Sequence, residues 1–503
     1  MISAAKKRPN ILLITTDQQR ADHVGLGGLT HVETPNMDRI GRMGAHFERA
    51  YTVSPICVPT RVSLLTGQYP SSHGAYSIGV TADPFPATLF TKALRDSGYY
   101  LSLFGKSHFV ARPDEECHIS GGYDTDDSFY QNGPTPYLDF HEFEGSTGHT
   151  INTVPSMHYK AFLEKAGADY KKWFPQMSPG YDHEVCGPWD IPEKFHDTTW
   201  VADLTEGFIE RRKDAGEPWF CWASFQDPHE PFVCPEPWYS SVSDENLPIL
   251  PGYKEGEFDD RIDTYRNGYE KHWEAYDEGN GVPCVGGRVG WDEKKENAMR
   301  ATLGMLKFLD HRLGTILEKL EKTGQLENTL IIFTSDHGEL HGHHGIWGKG
   351  ALAFEDCQRV PLLIAGPGVK KREESSHSLI SLVDLPRTCL DFAGVPIPQG
   401  MQGVNQAPML MGEVEEVRDA VLVECHPTRK SLANHTLITD DWKLVVYRNS
   451  EEGELYCLES DPDQSRNLWD KNEYADVKAK LLLRLTRLNI QREGEKAPRN
   501  TFG

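Results

Sequence analysis

Asp336 and His337 stand side by side in the loop TSDHGELHGHHGIWGKG, directly after the apolar run TLIIFT. A carboxylate and an imidazole at the end of a strand suit a metal ion or a phosphoryl-type site. His341, His343, His344 and Lys349 crowd the same glycine-rich loop, where exposed histidines are the simpler alternative. Asp17 and Gln18 follow another apolar run, in NILLITTDQQRAD. A carboxylate and an amide carbonyl are good hard-metal ligands; alone, the pair reads equally as a strand-end hydrogen bond or a helix cap. Lys106 and His108 in FGKSHF, His229 in QDPHEP and Lys349 in GIWGKG are each unremarkable as a solvated lysine or a structural histidine. Gathered at strand ends they would form a cationic pocket, as stabilisation of a transferring sulfuryl or phosphoryl group requires. Cys57 and Arg61 share the cluster CVPTRVSLLTG. Arg61 would lower the pKa of a thiol nucleophile, but no local base accompanies it. A buried structural cysteine leaves Arg61 and the Thr-Gly turn without a purpose.

The elements that must position these residues are legible as runs. Short apolar segments at 10–16, 99–104, 218–225, 329–334 and 361–365 read as buried parallel strands. The first four are followed at once by Asp, His or Lys. In open parallel α/β sheets ligands bind beyond the carboxyl ends of the strands, so these residues are expected to converge on one rim. Helical spacing is expected at 34–44, 89–96, 201–212, 297–322, with Gly324 as its C-cap, and 382–393. Regions 112–195 and 232–296, rich in Tyr, Trp, Pro and Gly, are expected to be long ordered insertions that form substrate-pocket walls or contact surfaces. After residue 410 the runs VLVEC, TLITD, WKLVVYR and ELYCLES alternate between turn residues, as in a small antiparallel sheet, and 477–489 reads as a terminal amphipathic helix. The expected domains are therefore 1–410 and 411–503.

The chain has 503 residues, enough for a large core, and 38% hydrophobic with 25% charged residues reads as soluble and globular. A net charge of −23 argues against nucleic acid and anionic membranes as partners. An anionic substrate would then need a local cationic site. The ten cysteines contain no CxxC pair, which leaves zinc-ribbon and thioredoxin readings without support. The apolar run near the start, Ile11–Ile14, is too short for a signal h-region or a membrane span, and the expected location is the cytoplasm.

CVPTRVSLLTG resembles the signature of the formylglycine-dependent sulfatases, Cys-x-Pro-x-Arg followed by a Thr-Gly turn. TTDQQRAD, TPNMDRI, GKSH, DPHEP, SDHGE, GKG and ELYCLESDPDQSRNL each look like a block of that family, and they follow its order. The resemblance implies an α/β fold like alkaline phosphatase, with a large mixed, mostly parallel sheet between helices and a small C-terminal α/β subdomain holding an antiparallel sheet. It implies that a formylglycine-generating enzyme acts transiently on Cys57 and oxidises it to formylglycine. One hydroxyl of the hydrated aldehyde would attack sulfur, and deprotonation of the second would release the inorganic anion. It assigns Asp17, Gln18, residue 57, Asp336 and His337 to one divalent metal. It assigns Arg61 to orienting the diol, Lys106 and Lys349 to the anionic oxygens, His108 to the base of the release step, and His229 to the leaving group or the anion.

Many relatives carry Asp where Gln18 stands and Asn where His337 stands. The Asp-Gln and Asp-His pairs also look like the phosphonate monoester hydrolases of the same superfamily. An imidazole suits manganese, and calcium remains compatible with the carboxylates. The expected activity is hydrolysis of small-molecule sulfate monoesters, with phosphonate monoester or phosphodiester hydrolysis as the alternative at the same site. A catalytically inactive binding protein on the same fold is a third reading, disfavoured because every candidate ligand is intact. A homodimer is expected from the terminal helix and the aromatic insertions.

Overall fold

In the computed structural model, residues 7–78, 80, 89–109, 128–131, 133–146, 155, 157–174, 185–245, 247–270, 294–426 and 433–493 are described. Much of the two expected insertions, including 112–127, 147–154, 175–184 and 271–293, lies outside them.

Five strands form the parallel heart of an eight-stranded sheet: Asn10–Thr16, Tyr100–Lys106, Phe140–Ser146, Trp219–Ser224 and Thr329–Ser335. Across the sheet they run in the order 329–335, 10–16, 219–224, 100–106, 140–146. Leu362–Ala365 pairs antiparallel on one flank and is followed by Ala45–His46; Thr135–Tyr137 closes the other edge, also antiparallel. The sheet is thus mixed and mostly parallel, as expected, with the 361–365 run reversed.

Alternate residues of each strand feed two cores. Ile11, Leu13, Leu101, Leu103, Trp222 and Ile332 face one side, against the helices Cys57–Thr66, Phe90–Asp96 and Asp384–Phe392. Leu12, Ile14, Phe104, Cys221 and Phe333 face the other, against Pro35–Met43, Asp197–Arg212 and Lys295–Lys322. Burial on both faces explains why these strands read as unbroken apolar runs. Gly324, with φ +67°, follows the long helix in the left-handed conformation expected of its cap.

Region 112–195 is more than an insertion, because its strand Phe140–Ser146 belongs to the parallel core. A second strand in it, Cys186–Trp189, pairs with Phe232–Pro235, so the two regions are joined by a parallel ladder.

The C-terminal antiparallel sheet comprises Val421–Cys425, Asn434–Ile438, Trp442–Tyr447 and Gly453–Cys457, packed against the helix Ala475–Arg492. It buttresses the functional region. Glu424 N donates to Val53 O at 2.7 Å, four residues before Cys57, and Asn434 Nδ2 donates to Ala351 O at 2.8 Å, two residues after Lys349.

Candidate active site

Parallel register explains the first meeting of residues. Thr16 pairs with Ser335, so Asp17 and Asp336 leave adjacent strands at the same level. Cys57 is the first residue of a ten-residue helix that is buried throughout and closed by Gly67 in the left-handed conformation. The positive end of that helix therefore faces the strand ends. One ligand atom each from Asp17, Cys57, Asp336 and His337 lies within 4.8 Å of the others, and all four residues are buried.

Arg61, one turn further along the helix, ties the carboxylates together. Its Nε donates to Asp336 Oδ2 at 2.8 Å, its Nη2 lies 3.3 Å from Asp17 Oδ2, and its Nη1 donates to Lys106 O at 2.9 Å and Ser224 Oγ at 2.8 Å. Asp336 Oδ1 accepts from the backbone N–H of Gln18 at 3.2 Å and of His337 at 3.0 Å. Lys106 forms a fully buried ion pair with Asp17. Burial pushes the Asp17 carboxyl up, but the neighbouring cations Lys106, Arg61 and Lys349 outweigh it and hold the group well below the usual carboxylate range.

Cys57 Sγ lies 3.1 Å from His337 Nε2 and 3.5 Å from Lys349 Nζ. Burial and Asp17 raise the thiol pKa, while Lys349, Lys106 and His337 bring it below its ordinary value. Lys349 Nζ is 2.6 Å from His229 Nε2. His108 sits in the left-handed region at φ +52°, with Nδ1 buried and without a hydrogen-bond partner among the described residues. Burial, Lys106 and Arg61 hold it far below the ordinary imidazole value.

Asp17, Cys57, Arg61, Lys106, His229, Asp336, His337 and Lys349 thus gather round one centre, and His108 lies within electrostatic reach of Lys106, Arg61, Asp17 and Lys349. The side chain of Gln18 turns to Lys349, Glu230 and Glu339, while its backbone N–H supports Asp336. Glu230 and Glu339 lie inside the quoted motifs DPHEP and SDHGE, but the sequence reading assigned them nothing. Burial and Glu230 push the Glu339 carboxyl up to about 7. His341, His343 and His344 do not join the donor set. His341 packs on Trp347 and Phe232, His343 bonds Asp356 at 3.0 Å, and His344 bonds Glu257.

The sulfatase family model matches residues 9–395. The chain belongs to the sulfatase family. A second family model, described as N-sulphoglucosamine sulphohydrolase, C-terminal, matches residues 342–491 of this sulfatase. The sulfatase is 30% identical over 479 residues to an arylsulfatase of Clostridium perfringens, covering 93% of this chain and 92% of that one. It is 28% identical over 502 residues to an N-acetylglucosamine-6-O-sulfatase of Bacteroides thetaiotaomicron, covering 95% and 85%. Among solved structures it is similar to a phosphonate monoester hydrolase of Agrobacterium radiobacter, with TM-score 0.75, 25% identity and 96% of each chain covered. The fold is that of the alkaline phosphatase superfamily, and the sulfatase is a hydrolase of sulfate esters.

Proposed function

We propose that this sulfatase cleaves small-molecule sulfate monoesters at residue 57, after a formylglycine-generating enzyme has oxidised the Cys57 thiol to the aldehyde. The observation that carries the reading is the meeting of Cys57, Asp17, Asp336 and His337 within 4.8 Å at the buried start of one helix. A structural thiol has no need of two carboxylates, an imidazole and an ammonium around it. The hydrated aldehyde supplies one hydroxyl as nucleophile and a second whose deprotonation releases sulfate.

The donor set fits one divalent cation. Two carboxylates suit Ca2+, and the imidazole suits Mn2+. Asp17, Asp336, His337 and residue 57 would hold it, and its charge would polarise the sulfate oxygens; the Gln18 side chain, engaged by Lys349, Glu230 and Glu339, is not part of this set. Arg61 orients residue 57 and balances Asp17 and Asp336. Lys106 and Lys349 attract the anionic oxygens into a protein whose overall charge repels them. His108, held neutral with Nδ1 unengaged, accepts the proton of the release step. His229 and Lys349, 2.6 Å apart, serve the leaving oxygen.

The deciding experiment is mass spectrometry of the tryptic peptide Ala50–Arg61, from the native host or from co-expression with a formylglycine-generating enzyme. The aldehyde mass at position 57 is expected. An unmodified thiol from a competent host overturns the assignment.

A second reading, phosphonate monoester hydrolysis, is favoured by Gln18 and His337 in place of Asp and Asn, and by the likeness to the Agrobacterium enzyme. Competition kinetics with aryl sulfates and phenyl phosphonate esters separate the two. The first reading fails if sulfate turnover is orders of magnitude slower.

A cytoplasmic location is part of the proposal, supported by eight free cysteines and no disulfide among the described residues. Among those residues no helix is long and apolar enough to cross a membrane. The proposed homodimer is supported by Leu483 and Ile490, 51% and 62% exposed on the terminal helix; sedimentation tests it. The division at residue 410 is supported by the separate C-terminal sheet.

A further inference from the structure

Four side chains beside Cys57 close a ring of polar contacts. The amide nitrogen of Gln18 donates to Glu230, the Glu230 carboxylate lies 3.0 Å from His229 Nδ1, His229 Nε2 lies 2.6 Å from Lys349 Nζ, and Lys349 Nζ donates back to the Gln18 amide oxygen. The same Gln18 nitrogen also donates to Glu339, which accepts from His341 N at 3.1 Å and from Gly348 N, next to Lys349.

The chemistry of the partners sets the direction of every bond. His229 Nδ1 lies 2.7 Å from the Glu230 carbonyl oxygen and 3.0 Å from its carboxylate, both of them acceptors, so Nδ1 carries the ring proton. In the neutral ring Nε2 is then a lone pair, and Lys349, an ammonium with three donors and no acceptor, points at it. Gln18 must present its nitrogen to the two carboxylates and its oxygen to the ammonium. A carboxylate at position 18 would face Glu230 and Glu339 with no proton to offer.

We propose that Glu230 is a positioning residue of the leaving-group step: with Gln18 it locks the Lys349–His229 pair in one orientation, the ammonium donating and the imidazole accepting, so that a Lys349 proton is aimed at the departing ester oxygen. As the S–O bond breaks, its electron pair stays on the ester oxygen and takes that proton. Lys349 is left as a neutral amine and is reprotonated from water. Glu339 holds the loop that carries Lys349 through Gly348. This inference rests on the reading of residue 57 given above and adds the residues that orient its proton donor.

The test is a leaving-group series, 4-nitrophenyl, phenyl and alkyl sulfate, with wild type, Glu230→Ala and Glu230→Gln, each carrying the aldehyde at position 57. Proton donation matters most for the poorest leaving group. Glu230→Ala is expected to lose a few-fold in kcat on 4-nitrophenyl sulfate and on the order of 10²-fold on phenyl and alkyl sulfate, with KM and bound metal per chain little changed. Glu230→Gln keeps an acceptor oxygen for His229 Nδ1 and is expected to restore the shallow wild-type dependence. An equal loss across the series, or none, overturns the inference. If wild type turns over phosphonate esters and not sulfates, the sulfate reading fails while the same slope on aryl phosphonates still judges Glu230. A wild type inert on both overturns both.

Discussion

Arg61 Nε donates to Asp336 Oδ2 at 2.8 Å with both side chains wholly excluded from water. The same guanidinium reaches Asp17, so it bridges two carboxylates that strand pairing has forced together, with Lys106 as a second cation on Asp17. Removing one partner of a buried pair leaves an uncompensated charge. Arg61→Ala is therefore expected to destabilise the protein by about 3–5 kcal/mol, measured by urea denaturation. Arg61→Lys keeps the charge but not the fork that bonds Lys106 O and Ser224 Oγ, and should fall between. A variant as stable as wild type would mean that the guanidinium does not carry this balance.

Metal withdrawal should act on stability as well as on turnover. An ion that binds only the folded chain at 100 times its Kd contributes about 2.7 kcal/mol. Treatment with a chelator is expected to lower Tm, and Mn2+ or Ca2+ to restore it. Asp17→Asn, Asp336→Asn and His337→Ala should each blunt that restoration. A Tm indifferent to chelator in the wild type would argue against a resident ion.

His196 offers a stability test on a residue outside the proposed donor set. It begins the helix Asp197–Arg212, and its Nδ1 accepts from Thr198 N at 3.1 Å. Burial lowers its pKa to about 3. The folded state thus resists a proton that the unfolded chain accepts near pH 6.5, so the histidine weakens folding increasingly as pH falls below that value. Asn also caps helices well. His196→Asn should gain on wild type by about 2 kcal/mol between pH 7.5 and pH 5, at about 1.4 kcal/mol per pH unit below 6.5. A difference constant with pH would sink this account.

Gly105 precedes Lys106 in its strand, with φ +94° and room for a Cβ only 2.0 Å from Ser224 O. Gly105→Ala must push the Tyr100–Lys106 and Trp219–Ser224 strands apart. A loss of about 2–4 kcal/mol is expected, together with reduced kcat as Lys106 moves from Asp17. Retained stability with full activity would show that the sheet absorbs the change.

Much of this site was readable before any fold was known. Asp17, Lys106 and Asp336 stand at the ends of apolar runs, and both faces of those strands are buried, which makes the runs continuous. Phe140–Ser146 escaped notice because FHEFEGS spaces its two phenylalanines with Glu and His, several of them half-buried near the sheet edge. Glu230 and Glu339 escaped because an acidic residue in a loop reads as solvated. Only the fold shows Glu339 2% exposed and bonded to Gln18.

By itself the sequence determined which donors exist, their order along the chain, the short-range periodicity that makes the strands and helices, and the CVPTR cluster. The tertiary structure decided which strands are neighbours, and hence that Asp17 meets Asp336 across more than three hundred residues of chain. It also decided that Gln18 turns its side chain to Lys349, Glu230 and Glu339, and that His229 Nε2 comes within 2.6 Å of Lys349 Nζ. Periodicity is a local signal, whereas strand order, burial and hydrogen-bond direction depend on partners brought from elsewhere in the chain.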